Sequence, residues 1–217
     1  MRSLWLPFWL AAFQGVLTGV AGAQCKDPRL VAGQVGFNVA ASFMGKVLLR
    51  HKPVGRALRE ALSDGVASGI VAHAGYCIAG GDPSMALVGK ALAQKSTLMT
   101  RRSIEARPVF DRSLYSEWVL TYSFVHFRWQ GSPRVEIDAV NSAVSAYYLV
   151  SDGYHLDGKR SLYSGSLVFR NDRPPRDIRG FYAPGVIWID RSRYEDRTVL
   201  GHELVHSLQA ERGSAIA

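Results

Sequence analysis

The sequence predicts an α+β chain of N-terminal helices, an antiparallel β meander and a C-terminal helix that carries His-Glu-x-x-His. Three observations lead there. Residues up to about Arg107 are rich in alanine, glycine and leucine at helical spacing, with proline and glycine as punctuation. From about Val109 the texture turns aromatic and β-branched, with short turn signals between runs. After Asp190 helical periodicity returns in "RYEDRTVLGHELVHSLQAER".

Taken in order, the first element is an export signal. Residues 1–23 carry Arg2, an apolar run from Leu4 to about Val20 and the small-residue ending Ala21-Gly22-Ala23. That is the pattern of a secretory signal peptide cleaved near Ala23, which places the mature chain in the periplasm or outside the cell. The run is long enough for a membrane anchor, but an anchor does not need the cleavage pattern. A lipoprotein reading is weaker still, because Gln24 stands before Cys25 where a lipobox has a small residue. About 194 residues then remain, enough for one domain with a sizeable core. Its two cysteines, Cys25 and Cys77, meet an oxidising compartment. A bridge between them and a buried free thiol at Cys77 both fit the sequence.

Three helices are expected over residues 24–107. The first stops at Pro53 and the second at Gly80-Gly81. The third opens with Asp82 as N-cap and Pro83 in its first turn. Small residues crowd the second helix (Gly65, Ala67, Ser68, Gly69, Ala72, Ala74, Gly75), so neighbouring backbones can approach closely. With Asp64 and His73 inside it, this segment reads as a tight helical hairpin, soluble or apposed to a membrane.

Residues 108–217 form the sheet and the last helix, in one domain with the helical region. "SLYSEWVLTYSFVHFRW" reads as a strand ending at the turn Gln130–Pro133, and "RVEIDAV" alternates as a second strand. "NSAVSAYYLVSDGYHLDGKRSLYSGSLVFRN" reads as further strands, with a turn at Asp152-Gly153 and a hairpin at Asp157-Gly158. "FYAPGVIWID" is a last strand broken by Pro184-Gly185. No repeat or low-complexity tract is present.

The formal charge is +8, but the basic residues are scattered and no aromatic-interleaved basic patch appears. Nucleic acid is therefore not an expected partner. Weak attraction to an anionic membrane surface is.

The chemistry concentrates in the last helix. Ser192 and Glu195 fit a capping box, so the helix is expected to start there. At about 100° per residue, His202 and His206 lie about 40° apart, close enough for two imidazoles to hold one ion. Leu200, Leu204 and Leu208 fall on the opposite side, free to bury against the sheet. Glu203 sits at the edge of the histidine face, suited to proton transfer rather than ligation. Gln209, one turn beyond His206, can support an imidazole or meet substrate.

"FYAPGVIWIDRSRYEDRTVLGHELVHSLQ", through Pro184, Gly185, Leu200, His202, Glu203, Leu204, His206 and Gln209, resembles the core of zincin-type HExxH metallopeptidases of bacteria. The resemblance covers residues 181–209. It implies a zinc-dependent hydrolase acting on a peptide or protein, with His202 and His206 as Zn2+ ligands and Glu203 as catalytic acid and base. No third ligand is identified. Gln209 and Arg212 stand where a metzincin would have glycine and histidine, and Glu211 projects about 160° from the histidines while the helix continues. A longer natural chain, an upstream ligand (His126, His155 or Asp190) and an incomplete site are the three explanations. The alternative function is a non-catalytic, envelope-associated structural or interaction protein.

Overall fold

The computed structural model describes residue 25, residues 28–175 and residues 177–216. The expected signal peptide over residues 1–23 lies outside the described residues. The architecture is mixed α+β, with a helical layer followed by two small sheets and a final helix.

Helix α1 (Pro28–Met44) continues through a π-helical turn (Gly45–Leu49). Pro53 ends that run, and α2 (Val54–Gly81) returns antiparallel to it. Asp82 accepts from the Ser84 backbone N–H at 3.0 Å, and Pro83 opens the short turn that feeds α3 (Ala86–Ile104). The small residues do what their spacing suggests. A Cβ on Gly65 would stand 2.5 Å from the Val39 backbone and one on Gly69 2.6 Å from Val35, so only glycine lets α1 lie this close to α2. Gly75 and Gly89 do the same between α2 and α3, each facing the other's carbonyl oxygen. Cys25 and Cys77 are joined, with Cα atoms 5.3 Å apart, which ties the start of the described chain to the end of α2.

Helix α4 (Arg112–Ser116) leads into an antiparallel meander of β1 (Glu117–Tyr122), β2 (Val125–Gln130) and β3 (Ser132–Ile137). What reads in sequence as one long strand is thus a short helix and a hairpin, turned at Ser123, whose φ is +52°. The next segment also departs from the strand expectation, because helices α5 (Ala139–Val150) and α6 (Gly158–Ser164) flank β4 (Tyr154–Leu156). Two aspartates decide it. Asp138 caps α5 by accepting from Asn141 N–H, and Asp157 caps α6 by accepting from Arg160 N–H, each at 2.9 Å. The Asp157-Gly158 pair is consequently a helix start and not a hairpin.

The second sheet runs β4-β5-β7-β6, with β5 (Leu167–Asn171), β6 (Gly180–Ala183) and β7 (Val186–Asp190). It is not wholly antiparallel, since β5 and β7 pair in parallel with Leu167 opposite Val186 and Asn171 opposite Asp190. The run "FYAPGVIWID" is the β6–β7 hairpin, and Gly185 at φ +76° makes its turn. β7 is buried on both faces, which is why its sequence does not alternate. Val168, Ile187 and Ile189 pack toward α2, α3 and the last helix; Phe169, Val186 and Trp188 pack toward Val144 and Tyr148 of α5.

Several charged groups inside the fold are paired. Arg102 meets Glu117 at 2.7 Å between α3 and β1, and Lys46 meets Asp64 at 2.7 Å between the π turn and α2. Lys95 of α3 donates to the carbonyls of Leu114 and Glu117 and lies 4.3 Å over the Trp118 ring. Burial brings its ammonium down from 10.5 to about 8, against the opposing pull of Glu117. Between those two values the unfolded lysine keeps a proton that the folded one has lost, so Lys95 adds stability as pH rises through that window. In urea unfolding of wild type and Lys95→Met, the stability difference should move in favour of wild type between pH 7.5 and 10. A difference independent of pH would contradict the assignment.

Candidate metal centre

The last helix, α7 (Arg197–Ile216), follows a 3-10 turn over Arg191–Arg193. Its start is set by Asp196, which accepts from Thr198 N–H at 2.9 Å. Asp190 caps the 3-10 turn in the same way through Ser192 N–H at 2.9 Å. The expected capping box at Ser192 and Glu195 is thereby replaced by two aspartate caps, and the helix begins later.

Three features fix the rotation of α7. Leu200, Leu204 and Leu208 are buried in the cluster formed by Ala72, Tyr76 and Ala93 on the helices and Val168, Ile187 and Ile189 on the sheet. Gly201 lies against the carbonyl of Gly80, so a side chain there would collide with the end of α2. Glu211 enters the interior, where it meets Lys90 at 2.7 Å and accepts from Gln94 at 2.8 Å and Ser207 at 3.1 Å. Lys90 in turn donates to the Gly165 carbonyl. Truncating any one of the three leucines to alanine costs about 2–5 kcal/mol.

With that side buried, His202 and His206 face outward and are exposed. Their Nε2 atoms are 3.0 Å apart, with ring planes at 87° and centroids 4.6 Å apart. Gln209 lies 3.1 Å from His206, its carboxamide oxygen against Nδ1. An amide oxygen only accepts, so Nδ1 carries the hydrogen of this bond and Nε2 is the atom that faces His202. Two nitrogens bound to one tetrahedral zinc at about 2.0–2.1 Å stand about 3.3 Å apart, so the pair fits a shared ion after a small rotation.

Glu203 is 6 % exposed and lies on the flank of α7 facing β6. Gly180 makes room for it; a Cβ there would come 3.1 Å from the Glu203 carboxylate. No hydrogen-bond donor reaches this carboxylate among the described residues. Burial raises its pKa, and the two histidines pull the other way. Two adjoining depressions share His202 and Glu203. One is walled by Gly180, Phe181, Tyr182, His206 and Gln209, the other by residues 177–180 with Thr198 and Val199. Together they form an open cleft between α7 and β6, the edge strand of its sheet. A second, more apolar depression, lined by Tyr76, His73, the Cys25–Cys77 bridge and Val205, lies on the far flank of the histidines.

The upstream residues considered as third ligands are engaged elsewhere. His126 pairs with Thr121 at 2.9 Å within the meander, His155 with Asp172 at 3.0 Å on β4, and Asp190 with its cap. Glu211 faces Lys90. Among the described residues no third His, Cys, Asp or Glu joins the pair. Tyr182 reaches the cleft, with its hydroxyl accepting from Gly185 N–H at 3.4 Å and raised to about 12 by burial, whereas Trp188 is core. Sequence reasoning missed Gly180 and the role of Gly80. Each looks like a plain turn or stop residue until its partner across the fold is known.

Gln209→Leu should lower the affinity of the histidine pair for zinc by about 10–100-fold, because His206 loses the acceptor that fixes its tautomer. Competition with a chromophoric chelator reads this directly; unchanged affinity would show that Gln209 is only a surface side chain. Comparison of the chain with protein-family models, with curated proteins and with solved structures returns no match.

Proposed function

We propose that this chain is an exported zinc-dependent peptide hydrolase that binds an extended substrate along the edge of β6. The observation that carries the reading is the pairing of His202 and His206, Nε2 atoms 3.0 Å apart at an open cleft, beside Glu203, whose largely buried side chain lines the same cleft. His202 and His206 would hold the ion. Zinc, when bound, supplies Lewis acidity toward the scissile carbonyl and draws the pKa of water toward neutrality.

The remaining work belongs to the protein's own groups. The outer edge of β6 offers backbone donors and acceptors to a peptide added as a further strand, which sets the carbonyl over the histidines. Glu203, held basic by its burial, takes the proton of the attacking water as the C–O bond forms. It then returns that proton to the amine nitrogen as the C–N bond breaks. Gln209 keeps His206 in the tautomer that presents Nε2.

A second reading, a non-catalytic envelope protein, is favoured by one observation: only two ligands converge among the described residues. Glu203→Gln separates the two. Zinc-loaded wild type should cleave members of a mixed peptide library, and Glu203→Gln should keep its zinc while losing about 10²–10⁴-fold in turnover. His202→Ala and His206→Ala should lose the metal as well. Wild type that takes up zinc but cleaves nothing would leave the non-catalytic reading in place. Cleavage undiminished in Glu203→Gln would assign the activity to another protein.

A further inference from the structure

Helix α1 and the π turn after it are built inside out. Their buried positions are Asn38, Ser42, Gly45 and Lys46. Asn38 accepts from Thr100 at 2.6 Å, and Lys46 meets Asp64 at 2.7 Å, so polar groups of this inner face are paired inside the fold. Outside, every exposed position from Leu30 to Leu49 is apolar or glycine. The large ones are Leu30, Phe37, Met44, Leu48 and Leu49, between 49 % and 68 % exposed. A helix facing water has the opposite arrangement, and a continuous apolar surface of this kind marks a docking face.

The charge around the face identifies what covers it. At the tip of the α1–α2 hairpin, Arg50, Arg56 and Arg59 are exposed among Leu49, Val54 and Leu58. The two acids of the hairpin, Glu60 and Asp64, are taken up by Lys52 and Lys46 at 2.6 and 2.7 Å. The rim of the face is therefore cationic with no exposed acid to balance it. A second copy of the chain would bring arginine against arginine in a parallel pairing. An anionic headgroup layer complements the rim, and acyl chains complement the helix.

No helix among the described residues is long and apolar enough to cross a membrane. We infer that the outer face of α1 and the tip of the α1–α2 hairpin form an interfacial docking element for the surface of an anionic phospholipid bilayer. The two signals it combines, buried apolar area and clustered cations, are those that stable peripheral binding needs. The docking face stands independently of the hydrolase reading.

Flotation of the full chain with phosphatidylglycerol vesicles tests it, beside vesicles of phosphatidylcholine alone. Binding to the anionic vesicles should exceed that to the neutral ones by at least tenfold and fall with salt. Phe37→Glu and Leu48→Glu should each weaken it by at least tenfold, with the helical circular dichroism and the Cys25–Cys77 bridge retained. Arg50→Ser with Arg56→Ser should cost about fivefold per arginine and keep the fold even where a glutamate variant does not. Binding unchanged by all of these substitutions would place the lipid contact elsewhere, the first 24 residues included, and overturn the inference. So would a lipid-free dimer, seen by sedimentation equilibrium, that Phe37→Glu dissociates while no vesicle binding is found.

Discussion

The seating of α7 on the rest of the protein is the constraint from which the candidate site follows. Three leucines on one side of the helix fill the space between α2, α3 and the β5–β7 pair. Their burial stabilises the fold by roughly 1.5–3 kcal/mol each. That alone would leave the helix free to slide. Gly201 against the Gly80 carbonyl and Glu211 against Lys90 remove that freedom, one by close backbone approach and the other by a buried ion pair. Once the leucines and Glu211 point inward, helical geometry sends His202, His206 and Gln209 outward and leaves Glu203 half-way round, against β6. The orientation of the imidazoles is thus a consequence of core packing.

The parallel β5–β7 pair serves the same end from the other side. Placing β7 inside the sheet pushes β6 to the edge, and Gly180 at the start of β6 lets that edge come down onto Glu203. The Glu203 side chain is largely buried, and its carboxylate opens on the cleft. Its place on a cleft wall, between two histidines and an open strand edge, is what the proposed proton transfer requires. Glu211, about two turns further on, is a useful contrast. It is equally buried among polar neighbours but fully paired, and it serves packing.

Much of this was legible in the sequence, and the parts that were not have identifiable causes. The helical region could be read because proline and glycine stop its helices and because the small residues mark close contacts. The histidine face and its leucine back could be read from a period of 3.6 alone. The region from 139 to 164 could not, since "AVSAYYLV" has strand composition, and only the caps of Asp138 and Asp157 tip it to helix. The parallel pairing was hidden because a strand buried on both faces has no alternation. Gly180 and Gly80 act across 23 and 121 residues of chain, from Gly180 to Glu203 and from Gly80 to Gly201, beyond the reach of any local pattern. The polarity of α1 was invisible for the same reason: composition shows an apolar helix, but only the fold shows that Asn38 and Ser42 point inward.

The central claim is that two imidazoles one helical turn apart grip a single divalent ion. Zinc X-ray absorption on the loaded protein addresses this at the level of bonds. Wild type should give two imidazole nitrogens at about 2.0–2.1 Å, and His206→Ala should give one or lose the metal. A zinc spectrum without imidazole scattering, or one that His206→Ala leaves unchanged, would contradict the account.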